Sequence, residues 1–284
     1  TVNTLLLMLG VGLVSVFFGV ASAWFVTFHS FRGRKIFEYM LFLPLAIPGY
    51  ISAFSYVYIF EFAGPVQTFI RDFWCVNKGE YWFPDIRSIW GGLFVMGFGL
   101  FPYVYMLARA SFVAIMNIVT VASTFGHSSV KIMTLIGVPM IRPAIVAGLS
   151  LVLMEVIADF GTFHFLAIDT FTTGIYRSWF LLHDKHSVSV LAFIQLSFVL
   201  SLLLIEKAIK NKNVSYAEIN TNSSYCVKWR HTGFMQGLVI YSVCFIPLIF
   251  GFIIPILPLL ISGGTTVIPI SLHSFKFLSV LSVS

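Results

Sequence analysis

Residues 4–27 contain no charged side chain, and the same holds for residues 89–108, 188–205 and 237–261. Apolar runs of about twenty residues match the hydrocarbon thickness of a bilayer when they are helical. Lipid offers the backbone no hydrogen-bond partner, so the helix is the form such runs take there. Two further stretches, 36–60 and 141–165, are as long but carry isolated charges, which gives six predicted spans. With 58% hydrophobic and 10% charged residues, against about one quarter charged in a soluble domain, a water-soluble fold is excluded. The fold class expected is an all-α polytopic membrane protein. Ala21-Ser22-Ala23 looks like a signal-peptidase site, but the run before it is too long and lacks a basic leader.

The charges sort by loop. Arg32, Arg34 and Lys35 follow the first span; Arg109, Lys131 and Arg142 surround the middle loop; Lys207, Lys210, Lys212, Lys228 and Arg230 lie in or beside the stretch 211–232. The intervening loops, 61–87 and the stretch DTFTTGIYRSWFLLHDKH, carry both signs almost equally. Basic loops stay cytoplasmic, so the net charge of +6 reflects topology rather than a nucleic-acid partner. Cys75, Cys226 and Cys244 fall in an outer loop, an inner loop and a span, which leaves no disulfide framework. The polar stretch 211–232 divides the chain into a first unit, 1–210, and a new hydrophobic unit, 233–284. The chain opens on Thr1 at the edge of a span, which suggests a longer protein upstream.

Pro44, Pro48 and Gly49 in LPLAIPGY should bend the second span, because each proline removes a backbone donor. In the middle loop, apolar residues alternate with polar ones from Asn117 to Leu135. That pattern permits two short helices with a break at Gly126, each too short to cross a bilayer. Pro139 would fix the entry to the fourth span. Two readings fit: helices covering lipid headgroups, or a helical knob pressed into a groove on a partner.

Glu155 and Asp159 are four apart in span 141–165, so they would share one helix face, pointed inward because charge in lipid is costly. At 1.5 Å per residue they would lie about 21 and about 27 Å from Ile141. They are candidates for a translocation path, with hydrogen bonding to neighbouring helices as the alternative. His164, Asp169, Tyr176, Arg177, His183, Asp184 and His186 follow without compact ligand spacing, so no metal site or cofactor is expected. An intramembrane enzyme using Glu155, Asp159 and His164 lacks any GxSxG or HExxH signature.

The middle loop has a particular spacing: Thr120-Val121-Ala122, three residues, Gly126, nine residues, Ile136, one residue, Val138-Pro139. It resembles the cytoplasmic loop of ABC importer permeases, whose pattern is Glu-Ala-Ala, three residues, Gly, nine residues, Ile, one residue, Leu-Pro. RPAIVAGLSLVLMEVIADFGTFHFLAIDTFTTGIYRSWF, LPLAIPGY and NTLLLMLGVGLVSVFFGV are similar to the ferric-iron branch of that class, and the likeness runs over residues 3–260. The resemblance implies a type I ABC importer permease fold of about six transmembrane helices with a cytoplasmic coupling loop at 117–139. It implies an inner-membrane location, an ABC ATPase subunit at the cytoplasmic side, a periplasmic substrate-binding protein and a second permease half or copy. Docking would fall to Thr120, Val121, Ala122, Phe125, Gly126, Ile136, Val138 and Pro139, with Thr120 standing where the class carries Glu. Ferric iron is the implied cargo; thiamine, sulfate or another small solute stays open. Members of the branch are double-length, so residues 1–210 resemble a first half without its initial span, and 233–284 the start of a second. A remnant of a longer permease is the remaining alternative.

Overall fold

The computed structural model describes residues 2–74, 81, 83–125, 128–212, 230–231 and 234–265. The centre is α1 (Val2–Phe28), packed against α5 (Ile89–Ala114) and α9 (Arg142–Ala158). These three meet closely around Val104: a Cβ on Gly19 would lie 2.8 Å from the Val104 side chain, and one on Gly148 2.9 Å from its Cα. Small residues at such crossings replace the hydrophobic drive that lipid does not supply.

The ends of the bundle are defined by contacts. At one end, Ser129 meets His29 just after α1 at 3.3 Å. At the other, Asn3 donates to the Asp169 carbonyl at 3.1 Å, and Arg87 to that of Phe165 at 3.1 Å. Successive crossings alternate between this loop end and the far end. Among the described residues four helices are long and apolar enough to cross a membrane, and two bent pairs raise the number to six.

The second span departs from the expected single bent helix. It consists of α2 (Arg34–Met40), a 3-10 turn over Leu43–Ala46 and α3 (Gly49–Phe60), and the runs Arg34–Ala46 and Gly49–Trp74 meet at 90°. Ile47, which precedes Pro48, is forced into an extended conformation with φ −99° and ψ 116°. The outer loop 61–87 contains a helix, α4 (Pro65–Trp74). Ser88 caps α5 by accepting from the Gly91 amide at 3.2 Å, and α5 runs past the predicted limit at 108.

The fourth span is also shorter than predicted. Following α6 (Met116–Thr124), a helical run over Ser129–Met140 comprises α7 (Ser129–Ile132), a π-helical turn (Met133–Gly137) and α8 (Val138–Met140). It meets α9 at 72°, and α9 ends at Ala158 rather than 165. Two short helices follow at the far end, α10 (Gly161–Phe165), which was expected as the end of the fourth span, and α11 (Phe171–Phe180), where a loop was expected; then α12 (Lys185–Lys212) returns.

A parallel two-residue bridge, β1 (His29–Ser30) with β2 (Arg230–His231), brings the chain back to the loop end. From there α13 (Phe234–Leu248), a π turn (Ile249–Ile253) and α14 (Ile254–Thr265) rise against α1, α3 and α5. In the π turn the Ile254 amide donates to Ile249. The equivalent donor for Phe250 would be Pro255, which has no N–H. The buried Tyr56 hydroxyl of α3 supplies the missing hydrogen bond to the Phe250 carbonyl.

Candidate functional site

The helix pair at the loop end has an inner and an outer face. Ile115, Val119, Ile132 and Ile141 are buried, and Ala122, Met133, Ile136 and Val138 pack against the core from partly buried positions. Gly137 seats the pair: a Cβ there would lie 2.8 Å from the Trp24 ring and 3.4 Å from Phe112. Trp24, Phe28 and Phe112 form a continuous aromatic socket, with ring centroids 4.3 to 5.7 Å apart. The outer face presents Val121, Phe125, Val130 and Leu135, which are 59, 75, 70 and 64% exposed.

The residues singled out by spacing therefore divide. Val121 and Phe125 point outward, whereas Ala122, Ile136 and Val138 are anchors facing the core. Thr120 donates its hydroxyl to the Met116 carbonyl at 2.8 Å, closing on its own helix. Pro139 lies within α8, two residues before the 72° elbow at Ile141. Gly126, the predicted turn, lies outside the described residues. Val130 and Leu135 were not singled out, although Val130 stands between Ser129 and Lys131.

Glu155 and Asp159 differ in their surroundings. Glu155 is exposed on the last turn of α9, while Asp159 sits beyond the helix end in extended conformation. The Asp159 carboxylate accepts from the Thr162 amide at 2.8 Å and from its hydroxyl at 2.7 Å, capping the next turn. Its carbonyl accepts from Thr172 at 2.9 Å. Asp159 thus knots α9, α10 and α11 together and leaves Glu155 as the exposed carboxylate on α9.

Residues 15–212 match the family model described as the binding-protein-dependent transport system inner membrane component. The chain belongs to this family. It is an ABC importer inner-membrane permease, a transport component that crosses the membrane several times. The permease is 23% identical over 215 residues to an Fe(3+)-transport system permease protein of Haemophilus influenzae, covering 75% of this chain and 38% of that one. It is 26% identical over 157 residues to a probable molybdenum ABC transporter permease of Haloferax volcanii, covering 55% of this chain and 54% of the relative. A sulfate transport system permease of Salmonella typhimurium is 25% identical over 154 residues, covering 53% and 52%. The permease therefore spans between 38 and 54% of the length of these relatives.

One further cluster in the permease lies near the helix pair. Glu38 of α2 and Arg109 of α5 form an ion pair, with side chains 18 and 25% exposed. The Tyr105 hydroxyl donates to the Glu38 carbonyl at 3.2 Å, and Arg34 to the Val26 carbonyl at 2.6 Å. This network ties the broken second span to α5 above the loop.

Proposed function

We propose that the permease is the transmembrane subunit of an ATP-driven importer whose loop end faces the cytoplasm, and that its helix pair docks on an ABC ATPase. The observation carrying this reading is the outer face of Val121, Phe125, Val130 and Leu135 on a pair whose inner face is pinned by Gly137 in the aromatic socket. Four large apolar side chains on a rigidly backed pair fit a groove on a partner. The basic residues gathered at this end support the cytoplasmic orientation.

Cargo would arrive from a periplasmic binding protein, and ferric iron is the favoured solute. Support comes from the iron permease relative, which covers more of the chain than the molybdenum and sulfate relatives, and from the exposed Glu155. A carboxylate at membrane depth suits a cation better than an oxyanion. Residues 1–210 act as one permease half, with the path completed by a second half or copy.

The test is co-expression with the cognate ATPase and binding protein, scoring ATPase co-purification and ATP-dependent uptake of radioactive ferric iron, molybdate and sulfate. Phe125→Asp, Leu135→Asp and a bulky residue at Gly126 should abolish ATPase association. Glu155→Gln should preserve association and lower iron uptake. Association unchanged in all three loop variants would refute docking, and transport of an oxyanion in place of iron would refute the cargo.

A further inference from the structure

At the far end of the bundle, two cavities share their walls. The larger, of about 820 Å³, lies between α3, α5 and the π turn and is lined by Tyr56, Phe60, Ile86, Trp90, Phe94 and Phe250. The smaller, of about 390 Å³, is polar: Glu61, Gln67, Tyr81, Asp85 and Arg87 contribute to its lining. Phe60, Phe83, Pro84, Asp85 and Ile86 belong to both, so the two form one crevice with an apolar chamber and a polar vestibule.

The crevice is ordered along the membrane normal. The vestibule residues Asp85 and Arg87 precede Ser88, the cap of α5, and so lie outside the span. Phe94 is six residues inside that cap, about 9 Å deeper at the helical rise, and Tyr56 and Phe250 meet at the chamber's inner wall. The polar part thus sits where headgroups lie, and the aromatic part where acyl chains lie.

The vestibule's charges narrow the occupant. Arg87 pairs with Glu61 at 3.1 Å, and the Arg87 amide donates to Asp85 at 2.8 Å. Arg71 also reaches the vestibule, donating to the Tyr81 hydroxyl at 3.4 Å and to the Phe62 carbonyl at 2.8 Å, so among the described residues two carboxylates face two guanidiniums. A purely anionic headgroup would meet both carboxylates without a cation of its own, whereas a headgroup with both a phosphate and an ammonium finds a partner for each: a guanidinium for the phosphate, the carboxylates for the ammonium's three donors.

We propose that this crevice binds one phospholipid with a zwitterionic, primary-ammonium headgroup, its acyl chain in the aromatic chamber and its head in the vestibule. The occupant is distinct from the docking partner, because the crevice lies at the end of the bundle opposite the loop, and from an ionic cargo, because the chamber is walled by aromatic side chains.

Native mass spectrometry tests this on the full chain, delipidated in detergent and reconstituted with equal phosphatidylethanolamine and phosphatidylglycerol. One phosphatidylethanolamine per chain should be retained, preferred about fivefold, as an exposed charge pair would give. Ile86→Trp, which blocks the junction of chamber and vestibule, should remove the lipid. Glu61→Gln with Asp85→Asn should keep a lipid but erase the preference. Where Ile86→Trp does not fold, quenching of native-chain fluorescence by brominated-chain phosphatidylethanolamine replaces it, with Trp90→Phe removing the quenched component. No retained lipid, equal retention of both lipids by the native chain, or full retention in the blocked variant would each overturn the proposal. So would a disulfide between two copies carrying Cys at position 86, which would place a protein partner in the crevice.

Discussion

Gly137 has no room for a side chain, since the nearest atom to a Cβ belongs to the Trp24 ring at 2.8 Å. Gly137→Val should lower stability by about 1–3 kcal/mol, the usual effect of overpacking, and a melting curve in detergent would register the shift. Ala167 presents the opposite case. Its φ of 55° is left-handed, a conformation that strains an L side chain by about 1–2 kcal/mol. Ala167→Gly should therefore raise the melting temperature, offset in part by the added freedom of glycine in the unfolded chain. Neither position stood out in the sequence, because what makes each special is a neighbour or a dihedral angle rather than its own chemistry. Asp159 shows the same limit from the other side. Four-residue spacing put it on a face with Glu155, but its carboxylate satisfies Thr162 at the point where α9 stops.

At the scale of elements, long apolar runs were legible and their interruptions were only partly so. LPLAIPGY announced a bend; its size of 90° depends on two prolines acting on Ile47 and on the Glu38–Arg109 pair holding α2 against α5. The helices α4 and α11 were read as loop because each is short and mixed in polarity, and α10 was read as the last turns of the fourth span. Their signals lie in local caps, such as the reciprocal hydrogen bonds of Thr170 and Thr173 at the start of α11. The start of α12 gives a pH prediction. Asp184 accepts from the Ser187 hydroxyl, the Ser187 amide and the His186 amide, and these hydrogen bonds hold its carboxyl below the usual value of 3.8. Because the folded value is the lower one, the cap stabilises the helix above pH 3.8 and is lost as pH falls through the folded value. Asp184→Ala should speed amide exchange in the first turn of α12 at pH 6, with the difference shrinking as the pH falls below the usual value of 3.8.

For the molecule as a whole, the ion pair between Glu38 and Arg109 is the polar fastening between the broken span and α5. Arg109→Ala would strand a carboxylate that is 18% exposed, and the expected loss is about 3 kcal/mol, the lower figure for breaking a buried pair. Exchanging the two residues, Glu38→Arg with Arg109→Glu, should recover much of that loss in a thermal melt. The long apolar helices, four to six among the described residues, could be read from hydropathy alone, since bilayer thickness sets their length. Which helices touch could not, because the contacts are set by small residues such as Gly19 and Gly148 at Val104.

The elbow at Ile141 has a mechanical corollary. The run Ser129–Met140 and α9 meet at 72° around a residue that is 1% exposed, so the two move as arms of one bell crank. Seventeen residues of α9 make an arm about 25 Å long. Turning the short arm by about 10° about that pivot would swing the far tip of α9, with the Asp159 knot attached, by about 4 Å at that arm length. A small push at one face of the membrane is thereby returned, amplified, at the other.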